Sequence, residues 1–225
     1  MIDSIPEATA VVDVISDVVC PWCYIGKRKL EAALAQLGSR EAGTAVAVRW
    51  HPFQLNPDIP RAGIPRAAYL EAKFGGKARA GGIYARVKQV GEEVGIPFEF
   101  DRIVRQPNTL DAHRLIAWAQ KRGEARARDD LVERLFRAYF IDGRDIGGRE
   151  ELARIAREAG FSFEEAQAML VSDKESSEVL AEDREAREVG VGGVPFFIFN
   201  GRTAVSGAHE PDTLLQALDA SRTQA

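Results

Sequence analysis

The sequence predicts an α/β fold in which a βαβ unit and a ββα unit flank a long helical insertion. Three patterns carry this prediction: Val- and Ile-rich segments near both ends, helical spacing of apolar residues through the middle, and a Cys-x-x-Cys motif after the first strand. A chain of 225 residues is long enough to bury a substantial core. Its 45% hydrophobic and 28% charged residues are typical of a globular protein.

The N-terminal βαβ unit begins with the segment 11–19, whose Val and Ile residues are typical of a buried parallel strand. Apolar residues then follow helical spacing over 22–37, and Gly38 is suited to end that helix. A second strand is predicted over 45–55. Strand, helix and strand in this order form a right-handed crossover.

The middle of the chain, from about residue 58 to 174, has helical patterns. Ser162 and Glu165 form a capping box, and Asn108 or Thr109 is suited to begin a helix through Ala119. The strongest apolar stripe consists of Val132, Leu135, Phe136, Tyr139 and Phe140. We therefore predict an all-helical insertion domain over 59–173, within a discontinuous domain formed by 10–58 and 174–225.

The C-terminal ββα unit follows a polar helix predicted over 176–189. Strands are predicted at 196–199 and 203–206, because the intervening Asn200-Gly201 is the strongest short signal for a hairpin. A final helix is predicted to begin at Pro211.

The Cys20-Pro21-Trp22-Cys23 motif is the predicted centre of the chemistry. Proline is favoured at the first helical position, so Pro21 makes Cys20 the N-cap residue. The free N–H groups and the helix dipole then favour the Cys20 thiolate. Three residues along a helix span about 5 Å, within the range of a disulfide. The motif therefore predicts an exposed nucleophile at Cys20 and a resolving thiol at Cys23.

Metal binding and a purely structural cysteine pair fit this pattern less well. A structural zinc site needs four ligands, whereas His51, His113 and His209 are scattered and no second cysteine pair exists. Two inert cysteines would not explain a proline at the helix start. No metal and no bound cofactor are expected, and hydrogen-bonded structural roles are expected for the three histidines.

The charge pattern bears on partners and compartment. The formal net charge is −4 and no basic block recurs, so neither a nucleic acid nor a membrane partner is expected. No apolar run is long enough to span a bilayer. The first nineteen residues contain four acidic and no basic residues, unlike a secretory signal. We expect a cytoplasmic protein, where such a cysteine pair is usually catalytic or metal-binding.

Val194-Pro195 precedes the predicted strand 196–199 and allows two interpretations. Proline is tolerated at the start of an edge strand. With a cis peptide bond, the loop would instead leave the Val194 backbone free to pair with an extended peptide. The sequence leaves the isomer open.

Three side chains near the motif also have alternative roles. Asp17 either orients the turn and relays protons to Cys23 or accepts backbone N–H groups at the junction. Lys27 is interpreted as a solvated surface charge rather than a group that tunes the thiols. Trp22 is expected to be a partly exposed, apolar contact for substrate.

Three segments together carry a resemblance to a known family: DVVCPWCYIGKRKLEAAL, RWHPFQLNP and GVPFFIFNGRTAVSGA. They resemble the DsbA family of thioredoxin-fold oxidoreductases, in particular its FrnE-like branch, over about residues 11–220. The resemblance implies a thioredoxin domain with a helical insertion, in which Cys20 attacks and Cys23 resolves. It also implies that Val194 and a cis-Pro195 lie beside the sulfurs and bind substrate. Pro21 and Trp22 are expected to join this substrate-binding surface.

The resemblance extends to glutathione-dependent relatives, the 2-hydroxychromene-2-carboxylate isomerases and the kappa-class glutathione transferases. These families have a serine where this chain has Cys20, which favours redox exchange here. The leading hypothesis is a cytosolic thiol–disulfide oxidoreductase acting on protein or small-molecule disulfides and thiols. The alternatives are a glutathione-dependent isomerase or transferase and a redox-linked chaperone. Whether glutathione is a substrate or a reductant stays open. The oligomeric state, monomer or homodimer, also stays open.

Overall fold

The computed structural model describes residues 10–41, 43–122 and 125–223. In these ranges the elements follow in the order β1 (Ala10–Ser16), α1 (Pro21–Arg40), β2 (Val46–Pro52), β3 (Ile64–Pro65), α2 (Arg66–Phe74), α3 (Lys77–Glu93), a 3₁₀ turn (Phe100–Arg102), β4 (Arg105–Gln106), α4 (Leu110–Gln120), α5 (Ala125–Phe140), α6 (Arg149–Glu158), α7 (Phe163–Val171), α8 (Ser176–Glu188), β5 (Phe196–Phe199), β6 (Thr203–Ser206) and α9 (Pro211–Thr223). None of the described helices is long and apolar enough to cross a membrane.

A four-stranded sheet with the strand order β2-β1-β5-β6 lies at the centre of the fold. β1 pairs in parallel with β2 and antiparallel with β5, which continues antiparallel to β6. Val14 of β1 therefore lies between Trp50 and Phe197, and all three side chains are buried. Helices α1 and α9 contact each other, while α4 and α8 contact β2. This is the thioredoxin fold with a helical insertion, as the sequence predicts.

The inserted segment shares its core with the rest of the protein. Tyr24 of α1 stacks on Phe136 of α5 with ring centroids 4.9 Å apart, and it meets Phe98 edge-on at 6.0 Å. The insertion is mostly helical but not all-helical as predicted, because it contains a short antiparallel ribbon, β3 with β4. The domain boundaries at 59 and 173 stay a prediction.

Several element boundaries differ from the sequence prediction near the cysteine motif. The first strand ends at Ser16 rather than at residue 19, because the next residues form a turn in which Cys20 donates its N–H to the Asp17 carbonyl at 3.0 Å. Helix α1 continues through Gly38 to Arg40, so Gly38 does not end it. The second strand ends at Pro52 rather than at residue 55.

Three other predictions that depend on local turn chemistry are confirmed. Asn200 and Gly201 both have positive φ angles, 51° and 66°, and with Arg202 they form the three-residue hairpin loop between Phe199 and Thr203. Ser162 accepts the Glu165 N–H at the start of α7. Thr109 occupies the N-cap position of α4, while the Asn108 side chain accepts the Leu110 N–H at 3.0 Å.

Candidate active site

Cys20 and Cys23 lie at the N-terminal end of α1, directly after the turn that follows β1. Cys20 has the extended backbone of an N-cap residue, with φ −94° and ψ 113°, and Pro21 occupies the first helical position. The Cys23 N–H donates to the Cys20 carbonyl at 3.0 Å. Both thiols are free. The helix therefore starts where the motif predicts, but the Cys20 side chain forms no cap hydrogen bond with the helix N–H groups.

The loop before β5 brings Val194 and Pro195 against Cys20. The Val194–Pro195 peptide bond is cis, and the Cys20 thiol donates to the Val194 carbonyl at a sulfur–oxygen distance of 3.6 Å. Gly26 of α1 lets this loop approach, since a Cβ there would lie 2.9 Å from Pro195 Cγ. The open isomer question is thus answered, and the two predicted loop residues adjoin the nucleophile.

The expected exposure of Cys20 is wrong. Only 5% of the residue is accessible to solvent, because the Val194 loop lies against its sulfur and the residue joins the main apolar core. Pro21 and Trp22 are half-buried, and Trp22 packs against the same core. Their roles in substrate binding stay predictions.

Cys23 lies deeper than Cys20 and is held as a thiol. Burial raises the pKa of Cys23 well above its ordinary value, and the neighbouring Cys20 raises it further. Hydrogen bonds from the Ser16 hydroxyl and the Asp17 backbone act in the opposite direction and are weaker. Cys23 therefore needs a base before it can act as a nucleophile.

Asp17 is fully buried at the turn between β1 and α1. Its Oδ2 accepts the Leu55 N–H at 2.8 Å, which is the backbone role considered for it. Its Oδ1 lies 3.4 Å from Nε2 of His113 on the inserted helix α4. Sequence reasoning gave His113 only a structural role, because nothing in the local pattern links it to so distant an aspartate.

Lys27 is buried, with 2% of its side chain accessible, so the solvated surface charge expected here is wrong. Helix α5 of the insertion covers it and supplies Glu133 and Asp129, while Glu31 of α1 completes the cluster. Burial lowers the pKa of Lys27, but the three carboxylates outweigh burial and raise the net pKa. The same Glu133 accepts the Tyr24 hydroxyl at 2.7 Å. This cluster joins α1 to the insertion.

The other histidines have hydrogen-bonded surroundings, as expected. His51 lies 3.0 Å from Glu182 through Nδ1 and 3.0 Å from Asp13 through Nε2. Burial lowers the pKa of His51, yet these two carboxylates raise it overall. His209 lies 2.9 Å from the Ser206 carbonyl through Nε2.

The fold and the site define a thioredoxin-fold protein with a cysteine pair at the start of its first helix and a cis-proline loop beside it. The family model of the DSBA-like thioredoxin domain matches residues 11–219. The chain therefore belongs to the DsbA-like family, whose members include oxidoreductases. A probable DsbA oxidoreductase from Streptomyces coelicolor is 32% identical, with a TM-score of 0.83 and with 96% of this chain and 91% of that chain covered.

Two further solved structures share the fold at lower identity. A 2-hydroxychromene-2-carboxylate isomerase is 17% identical, with a TM-score of 0.67 and with 95% of this chain and 97% of that chain covered. The cytosolic disulfide reductase DsbM from Pseudomonas aeruginosa, in a structure with GSH, is 19% identical, with a TM-score of 0.62 and coverages of 94% and 95%. At these identities the likeness concerns the fold alone.

Proposed function

We propose that the protein is a thiol–disulfide oxidoreductase that exchanges disulfides through Cys20 and Cys23 without a bound cofactor. One observation carries the proposal: the Cys20 sulfur lies at the N-cap of α1, in contact with the Val194 carbonyl beside cis-Pro195. Membership of a family that includes oxidoreductases supports it. The FrnE-like branch stays a prediction.

The reaction has two displacement steps. In the first, the Cys20 thiolate attacks a substrate disulfide, a bond forms between Cys20 and one substrate sulfur, and the other substrate sulfur leaves as a thiolate. In the second, Cys23 loses its proton and attacks the Cys20 sulfur, which releases the second substrate thiolate. The substrate gains two electrons, and Cys20 and Cys23 become a disulfide. An external dithiol or two thiols return the pair to its reduced form.

The proposed substrates are protein or small-molecule disulfides and thiols. Binding places an extended substrate backbone beside Val194 and Pro195, with Pro21 and Trp22 as apolar contacts. Glutathione is a proposed substrate or reductant, because the disulfide reductase DsbM shares the fold and has a solved structure with GSH. DsbM is a cytosolic protein, and we therefore propose the cytosol as the compartment of this protein too. Thiol trapping of the pair in fractionated cells tests both its compartment and its redox state.

The isomerase or transferase alternative fits the site less well. Cys20 occupies the position where the glutathione-dependent relatives are expected to have serine, and fold alone does not transfer their activity. Turnover of an isomerase substrate that persists in Cys20→Ser would favour that alternative. For the chaperone alternative, the discriminating result is protection against aggregation after both cysteines are alkylated.

The proposed function is tested by the reduction of insulin with dithiothreitol as electron source. Cys20→Ser should reduce the rate to that of dithiothreitol alone, whereas Cys23→Ala should accumulate a mixed disulfide on Cys20 that mass spectrometry detects. Ser39→Ala, which alters an exposed residue of the same helix, is the matched control and should keep full activity. Full activity in Cys20→Ser would show the proposal to be wrong.

A further inference from the structure

A buried arginine lies in the insertion without an ionic partner. Arg66 is the first residue of α2, and only 8% of it is accessible to solvent. Its guanidinium donates to the side-chain oxygen of Gln106, to the Tyr139 hydroxyl at 3.3 Å and to the Tyr84 hydroxyl at 2.6 Å. All three acceptors are neutral, and among the described residues no carboxylate forms an ion pair with Arg66.

The surroundings of Arg66 compensate its charge only weakly. An arginine is rarely buried unless it is paired, because a desolvated charge needs a counter-charge. The first turn of α2 contains no acidic residue, and the N-terminal end of a helix disfavours a cation. The rings of Tyr69 and Tyr84 lie 4.9 and 5.4 Å from the guanidinium carbon, which gives a modest attraction. The three hydrogen bonds use at most three of the five guanidinium N–H donors. Arg66 therefore keeps both charge and donors for an anion.

A cavity of about 730 Å³ lies beside this arginine, between α2, α3 and the 3₁₀ turn. Its apolar walls are small and aromatic side chains, namely Leu70, Ala80, Gly81, Tyr84, Ala85, Phe98 and Phe100. Cys20, Cys23 and Val194 do not line it, so it is separate from the candidate active site. Cavities of this size and composition commonly bind small organic ligands.

The charged groups of the cavity favour a ligand with a single negative charge. The lining contains three cations and two carboxylates: Arg66, Lys77, Lys88, Glu99 and Asp101. Lys77 pairs with Asp101 at 2.8 Å, and both side chains are exposed at the rim. One positive charge is thus in excess. A singly charged anion balances it, whereas the two carboxylates repel a doubly charged phosphate.

The aromatic wall is suited to an alkyl chain rather than to a further ring. Phe100 stacks on Tyr84 with centroids 4.5 Å apart and on Phe98 with centroids 4.9 Å apart. Phe98 also meets Tyr24 edge-on at 6.0 Å. Because these rings already stack on one another, they offer mainly their edges to a ligand. Ring edges and small side chains such as Ala80 pack well against a chain of methylene groups.

We propose that this cavity binds a medium-chain aliphatic carboxylate. Arg66 donates hydrogen bonds to the carboxylate and supplies its counter-charge, and the alkyl chain lies against Phe98, Phe100 and Ala80. The ligand in turn neutralises the buried guanidinium. Binding needs neither cysteine, so the inference goes beyond the proposed function and is independent of it.

Calorimetric titration of the wild-type protein with octanoate, below its critical micelle concentration, tests the ligand class. Octanoate should bind at least about 10-fold more tightly than octan-1-ol, because a hydrogen bond to a charged group is stronger than one to a neutral group. It should also bind more tightly than octyl phosphate and 1-naphthoate. Equal affinities for octanoate and octan-1-ol would overturn the role of the charge, and tighter binding of either octyl phosphate or 1-naphthoate would overturn the proposed ligand.

Two adjacent glycines of α3 provide a matched pair of variants. Gly81 and Gly82 are both exposed, and an added Cβ at either position would meet no other part of the protein within 4 Å, but only Gly81 lines the cavity. Gly81→Phe should therefore weaken octanoate binding by at least about 10-fold, because the ring occupies space that the chain needs. Gly82→Phe should keep the wild-type affinity. Equal affinities of the two variants would overturn the inference.

Arg66→Met tests the residue that carries the charge. Tyr139 still donates to Gln106 at 2.9 Å in its absence, so these two buried groups keep a partner. Octanoate binding should weaken by about 10- to 100-fold in Arg66→Met, and Arg66→Lys should restore part of it. Unchanged affinity in folded Arg66→Met would overturn the inference. Should this variant fail to fold, the glycine pair decides.

The variant Cys20→Ser separates the inference from the proposed function. Its octanoate affinity should equal that of the wild type, because the cavity does not include the cysteines. A loss of octanoate binding in Cys20→Ser would place the ligand at the cysteine site and overturn the inference. Insulin reduction that survives Cys20→Ser, by contrast, would overturn the proposed function and leave the carboxylate site standing.

Discussion

Gly26→Ala should show how closely helix α1 and the cis-proline loop must pack. A Cβ at this position would lie 2.9 Å from Pro195 Cγ and 3.2 Å from Phe197 Cζ. Both distances are shorter than the 3.4 Å at which ordinary van der Waals contact begins. Neither neighbour can swing away, because one atom belongs to a proline ring and the other to a fully buried phenyl ring. The loop or the helix must therefore move.

The magnitude follows from a comparison along the same helix. Replacing glycine by alanine inside a helix stabilises it by up to about 1 kcal/mol. At Gly38 of α1 nothing lies within 4 Å of the added Cβ, so Gly38→Ala should retain that gain. At Gly26 overpacking should cost about 1 to 3 kcal/mol. The free energy of unfolding of Gly26→Ala should thus be lower than that of Gly38→Ala by about 1 to 3 kcal/mol.

Urea unfolding of both variants, followed by circular dichroism, measures this difference. The site should respond as well, because Val194 adjoins Pro195 and its carbonyl contacts the Cys20 sulfur. Insulin reduction should accordingly slow in Gly26→Ala and stay at the wild-type rate in Gly38→Ala. Equal stabilities within about 0.5 kcal/mol, together with equal rates, would refute the reasoning that this contact positions the loop.

Three further predictions concern charge and thiol chemistry. Lys27→Met should lower the free energy of unfolding by about 1 to 3 kcal/mol in urea, because the half-buried Glu133 loses its partner, whereas Lys77→Met at an exposed ion pair should have a much smaller effect; similar losses would contradict this. The raised pKa of His51 means that the folded state binds its proton more tightly, so the stability it adds is fully present below about pH 6.5 and disappears as pH rises through the folded-state pKa. The stability difference between wild type and His51→Gln should therefore shrink from pH 5.5 to 8.5, and a difference that grows would refute it. Cys23 has a raised pKa and should resist iodoacetamide at pH 7 in the Cys20→Ser variant, as mass spectrometry would show; rapid modification would contradict its burial as a thiol.

The features that the sequence predicts well depend on chemistry within a few residues. Pro21 can only begin a helix at that point, which makes Cys20 the N-cap. Asn200-Gly201 tolerates the positive φ angles of the hairpin. Because such signals are local, they can be interpreted without knowledge of the tertiary packing. The family resemblance added the cis form of Pro195, which the residues alone left open.

The features that the sequence could not predict depend on contacts between distant segments. Periodicity shows that Val132 to Phe140 carries the apolar stripe of a helix, but not that this helix covers α1 and buries Lys27. The burial of Cys20 likewise follows from the position of the Val194 loop, which lies far along the chain. The β3–β4 ribbon has two residues per strand, too few for any alternation to be recognised.

The inserted helices supply groups that the thioredoxin part of the protein needs. Glu133 of α5 neutralises Lys27 and accepts the Tyr24 hydroxyl, while His113 of α4 faces the Asp17 carboxylate. Each of these pairs is buried on at least one side, and a buried charge without its partner is strongly destabilising. The insertion and the thioredoxin part are therefore energetically coupled at the cysteine site itself.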